Sequence, residues 1–114
     1  METPKDLTWP EFSRVEMRVG TVVACEAFPE ARNPSYKLRI DFGELGMLKS
    51  SAQITDRYQA EDIIGKQVVA VVNFPPKQIA TTISECLVLG AVGENNVVTL
   101  LQPDLPVANG TKVG

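Results

Sequence analysis

A small all-β barrel with one short helix is the architecture that this 114-residue chain predicts. Three observations carry that reading. Tyr36, Leu38, Ile40 and Phe42 alternate with Lys37, Arg39 and Asp41, the period-two pattern of a strand with one buried face. Val68 to Val72 is an unbroken apolar run, as expected of a strand buried on both faces. Strand-like stretches also occur in a set order: three, then one short helical stretch, then two more.

The elements follow along the chain. Thr8 stands before Trp9-Pro10, with Glu11 three residues on, the spacing of a capping box around one helical turn. Val15 to Phe28 is rich in β-branched residues and reads as one long first strand. Gly20 inside it predicts a bulge or bend that lets the strand serve two sheet regions. Pro29 to Pro34 is a turn, Tyr36 to Phe42 the second strand, Gly43 to Gly46 a turn, and Met47 to Ile54 the third strand. Tyr58 to Ile64 reads as the helix, with Gly65 as its stop. Lys66 to Asn73 and Ser84 to Gly90 are the fourth and fifth strands, read as a buried pair joined by a loop. Val97 to Leu101 is a further short strand, and Gln102 to Gly114 an extended tail. Three antiparallel strands, a helix and two strands is the order of the five-stranded OB barrel. An SH3-like barrel is the alternative, and the helix between strands three and four favours the OB form.

Composition bounds the function. The length suits one domain, residues 1–114, with a single core. There is no histidine, so the commonest general base and metal ligand is absent. Cys25 and Cys86 are too few for a structural zinc site and read as reduced core thiols of a cytoplasmic protein. Ser50, Ser51 and Ser84 have no histidine to activate them, and no glycine-rich phosphate loop is present. The expectation is a binding protein rather than an enzyme, without metal or cofactor. No apolar run approaches a membrane span. A net charge of -3 argues against a strongly basic nucleic-acid binder, yet five basic residues lie between Arg32 and Arg57 against three acids.

Several long motifs resemble one family. Val15-Glu16-Met17-Arg18-Val19-Gly20-Thr21-Val22 is similar to the opening of the tRNA-binding OB domain, as are Phe28-Pro29-Glu30-Ala31 and Tyr36-Lys37-Leu38 with Ile40-Asp41-Phe42-Gly43. That domain is also found appended to methionyl- and phenylalanyl-tRNA synthetases. Asn73-Phe74-Pro75-Pro76-Lys77 and Ser84-Glu85 resemble its later block. Ser50-Ser51-Ala52-Gln53-Ile54-Thr55 and Leu101-Gln102-Pro103-Asp104 resemble most closely a stand-alone bacterial branch described as export-related chaperones. The chain departs from the family pattern in three places, one of them Thr81 or Thr82 where a glycine is common. Phe28 replaces a histidine, and Ser84-Glu85-Cys86-Leu87 stands where relatives read Ser-x-Gly-Met.

The resemblance implies a cytoplasmic homodimer built through extensions outside the barrel, here residues 1–14 and 91–114. It also implies two candidate ligands. The first is unfolded or exported polypeptide, held by Met47, Leu48, Phe74, Pro75, Pro76 and Ile79. The second is tRNA, contacted by Arg18, Lys37, Arg39, Asn73, Lys77 and Ser84. A tRNA-binding protein without a chaperone role is the alternative. Phe74 is open between core and exposed platform, and Tyr58 is a second possible stacking ring. Asn73 is open between a ligand contact and a cap on its own turn. Val97 to Leu101 is open between pairing across a two-fold axis and closing its own barrel.

Overall fold

The computed structural model describes residues 4–114, so the first three residues of the expected N-terminal extension lie outside it. Helix α1 is Trp9–Ser13, and both halves of the Thr8–Glu11 capping box form. The strands are β1 (Met17–Ala27), β2 (Tyr36–Asp41), β3 (Met47–Ala52), β4 (Gln67–Val71), β5 (Lys77–Ile79), β6 (Thr82–Ser84), β7 (Leu87–Val88), β8 (Gly90–Val92), β9 (Val98–Leu100) and β10 (Lys112–Val113). Helix α2, Ala60–Ile63, lies between β3 and β4, and Gly65 at φ 92° ends that turn.

The main sheet runs β3-β2-β1-β4-β7 and curls into a nearly closed five-stranded barrel of OB type. Its seam is between β3 and the segment after β6. There the Glu85 N–H donates to the Lys49 carbonyl at 2.8 Å, and the buried Ser50 hydroxyl donates to the Cys86 carbonyl at 2.9 Å. Val22, Leu38, Ile40, Phe42, Ile63 and Val68 are fully buried and fill the interior. Burying each such side chain contributes about 1.5–3 kcal/mol.

β1 does serve two regions, pairing with β4 over Met17 to Thr21 and with β2 over Thr21 to Ala27. The register shift sits at Val23 rather than at Gly20. Gly20 answers a different need. A Cβ there would lie 2.6 Å from Ile40 Cγ2 and 2.8 Å from the Phe42 ring, so only glycine lets the core close over the strand.

Three sequence expectations change. The loop after β4 is itself a hairpin, β5–β6, joined by Ala80-Thr81, which carries no strong turn signal. The returning strand is not a buried partner of β4: Leu87 is exposed and Val88 half-buried. The tail is more than extended chain, since β10 pairs with β1 at Met17 and Arg18. Val98–Leu100 pairs with β8 of its own chain in a two-stranded sheet, with Val98 and Leu100 packed against the core and the Leu100 N–H donating to the Tyr58 hydroxyl at 2.9 Å.

Candidate functional site

The outer face of β1–β3 collects the cations. Because Leu38 and Ile40 point into the core, Lys37 and Arg39 must point out. Their cross-strand partners are Ser51 and Lys49, with Glu26 opposite Lys37 on the other side. Such partners lie roughly 5 Å apart at Cβ. Lys37, Arg39 and Lys49 line a depression of 330 Å³ together with Cys25, Glu26, Ile64 and Thr82. The Lys37 ammonium is 3.5 Å from the Glu26 carboxylate and 5.3 Å from the centre of the Phe28 ring. An exposed pair of this kind is worth under about 1 kcal/mol, so Lys37 stays available to a competing anion. Burial pushes the Cys25 thiol up to about 11, with Glu26 and Glu61 adding to the effect, so it is protonated and unreactive at neutral pH.

Across β3 lies a second groove, of 410 Å³, with a different character. Ser51 and Gln53 form its floor, and Phe74, Pro75, Lys77, Ile79, Ser84 and Leu87 its walls. Phe74 is 55% exposed, which resolves the choice between core and surface in favour of surface. Two prolines after it fix the backbone and remove amide donors, so the ring is held out from the barrel. The hairpin β5–β6 forms the wall. Its turn places Ala80 at φ 49°, a left-handed conformation that costs a non-glycine residue about 1 kcal/mol or more. The Phe74–Pro75 ridge also borders a trough of 430 Å³ lined by Glu11, Arg14, Val15 and Asn73.

The predicted site residues therefore divide. Lys37 and Arg39 share the cationic depression, whereas Phe74, Pro75, Lys77, Ile79 and Ser84 share the apolar groove. Met47 is exposed opposite Asp41 at the far end of β3, Leu48 packs against the core, and Pro76 is exposed beside the groove without lining it. Others are committed to the fold. Arg18 donates from Nη1 to the Gly110 carbonyl at 3.0 Å and pairs with Glu16 at 3.4 Å. Asn73 does not cap its own turn: Oδ1 accepts from the Glu16 N–H at 3.0 Å, and Nδ2 donates to the Arg14 carbonyl at 2.6 Å. The Ser84 hydroxyl accepts from the Ser51 N–H at 3.4 Å and donates to the Cys86 carbonyl at 3.3 Å. Tyr58 accepts from Leu100 at its hydroxyl and from the Tyr36 hydroxyl at its carbonyl, and its side chain packs against the core rather than standing free as a platform.

Sequence reasoning omitted Lys49, Gln53, Thr82 and Leu87 as site residues. Lys49 was legible as the alternate-register partner of Ser51 on a half-buried strand. Thr82 and Leu87 depend on the unpredicted hairpin.

With barrel, cationic face and hairpin-walled groove described, the class follows. Residues 17–112 match the family described as "Putative tRNA binding domain", and the chain belongs to that family. Among solved structures it is similar to the chaperone CsaA from Bacillus anthracis str. Ames, with 56% identity and a TM-score of 0.91 over 95% of this chain and 98% of that one. It is also similar to the CsaA chaperone protein from Picrophilus torridus, with 48% identity and a TM-score of 0.89 over 95% of this chain and 99% of that one. A methionine–tRNA ligase of Porphyromonas gingivalis is 33% identical over 109 residues, 96% of this chain but 16% of the ligase. The chain thus spans a small fraction of the curated relatives it matches. Among the described residues no helix is long and apolar enough to cross a membrane.

Proposed function

We propose that the protein is an export-related molecular chaperone of the cytoplasm that holds unfolded or secretory polypeptides in the groove of Phe74, Pro75, Ile79 and Leu87. The observation that carries this reading is the exposed Phe74 ring before Pro75-Pro76, sharing one groove with Ile79 of the hairpin and Leu87 of β7. An aromatic anchor beside a groove suits the capture of apolar segments without fixed sequence. Similarity to the two CsaA chaperone structures supports it.

Binding of tRNA is the second reading. Lys37, Arg39 and Lys49 on the outer β2–β3 face favour it, since that face of an OB barrel suits extended polymers and phosphates need cations. Membership of the tRNA-binding domain family supports it as well.

The active form in this reading is a homodimer. Met17, Val19 and Val69 on the outer β1–β4 face join Leu89, Leu101 and Val107 around an apolar trough of 510 Å³. Trp9, 82% exposed, and the exposed Leu105 lie in the two extensions that would meet a second copy.

Fluorescence anisotropy against a reduced, alkylated unfolded protein and against folded tRNA, each across a salt series, tests both readings. Polypeptide binding should persist at high salt, whereas tRNA binding should fall steeply. Phe74→Ser with Ile79→Ser should weaken polypeptide binding about tenfold, from roughly 1.4 kcal/mol of lost apolar contact. Lys37→Glu with Arg39→Glu should abolish tRNA binding. A double apolar variant that still holds polypeptide as wild type does would refute the groove.

A further inference from the structure

We infer that polypeptide and RNA exclude one another on a single barrel, so that RNA occupancy regulates client release. This rests on both readings above and adds a relation between them.

The two depressions are separated by one strand and one hairpin, and each divider contributes to both sides. On β3, Ser50 lines the cationic depression and its chain neighbour Ser51 lines the apolar groove. Lys37 borders the depression, yet its cross-strand partner is the groove residue Ser51. On the hairpin, Thr82 lines the depression, while Ile79, paired directly with it across the turn, lines the groove. Neighbouring strands lie about 4.8 Å apart, and paired Cβ atoms about 5 Å. An extended polypeptide with its side chains, or a ribose-phosphate backbone with its counter-charged lysines, is about twice that width. Neither polymer fits one depression without overlying the divider that forms the other.

The divider is also tethered to the barrel. The β5–β6 hairpin forms its own two-stranded sheet, attached to β3 through the Ser84 hydroxyl and the Glu85 segment. Moving it outward to admit a second polymer would break the Lys49 N–H to Glu85 carboxylate bond of 2.9 Å and open the barrel seam.

The test is a competition titration on the whole protein. A labelled apolar decapeptide is titrated with protein at low salt, then again with folded tRNA at ten times its own Kd. Exclusive binding multiplies the apparent Kd by one plus the ratio of tRNA to its Kd, so a rise of about elevenfold is expected, growing linearly with further tRNA. The effect should vanish at a salt concentration that releases tRNA. A rise that levels off as tRNA increases would signal a ternary complex and overturn the inference while leaving both binding readings intact. Failure of peptide or tRNA to bind in separate direct titrations would instead remove the reading itself, and the inference with it. The variant Arg39→Glu with Lys49→Glu should bind the decapeptide but, having lost RNA, show no response to tRNA; a variant that still binds tRNA in direct titration yet keeps its decapeptide Kd unchanged by it would overturn exclusion.

Discussion

Replacing Asn73 with alanine separates a structural role from a ligand-contacting one. Its amide holds the segment after α1 against the end of β4 through two bonds, one received from Glu16 and one given to Arg14. A hydrogen bond contributes a net of about 0.5–1.5 kcal/mol, and this side chain is exposed, so water replaces part of each bond. Loss of both should cost about 1–2 kcal/mol. At roughly 4 °C per kcal/mol for a domain of this size, the melting temperature should fall about 4–8 °C. Asn73→Asp retains the acceptor for the Glu16 amide and loses the donor to Arg14, so it should fall about midway. Circular dichroism melts at fixed protein concentration, paired with tRNA and peptide titrations well below the transition, read both quantities. If Asn73→Ala melts as wild type does but loses tRNA affinity, the clamp is energetically idle and the residue belongs to the ligand site.

Two further expectations follow from packing and ionisation. Gly20→Ala drives a methyl into Ile40 and Phe42, both fully buried, and should lower stability by about 1–3 kcal/mol in urea unfolding; an unchanged midpoint would show that the core yields. Burial raises the thiols of Cys25 and Cys86 from 9.0 to about 11. A raised folded value means that stability is full below pH 9 and declines as pH rises through 11, and alkylation of the folded protein should be slow at pH 8. Rapid modification of both thiols at pH 8 without unfolding would contradict that burial.

What the sequence made legible was set by the range of the interactions involved. The alternation from Tyr36 to Phe42 and the Thr8–Glu11 box are local, and both formed where expected. The β5–β6 hairpin was hidden because Ala80-Thr81 adopts a turn that local chemistry disfavours, and three-residue strands carry little pattern. The bulge at Val23 was assigned to Gly20 because glycine marks both bulges and close approaches, and only the packing of Ile40 and Phe42 tells them apart. Asn73, Tyr58 and Arg18 look like surface polar or aromatic residues in sequence. Their partners lie 57, 42 and 92 positions away, beyond the reach of any window.

The pairing of β10 with β1 has a consequence for how the chain acquires its shape. Strand β1 is completed by β10, with Arg18 reaching Gly110 across 92 positions. Until then Met17 and Val19 face solvent on a half-built sheet. Closing such a long loop precedes any reward from the contacts it makes, so this edge of the sheet should be completed late in folding. During that interval the folding chain is itself a polypeptide with an apolar strand face uncovered.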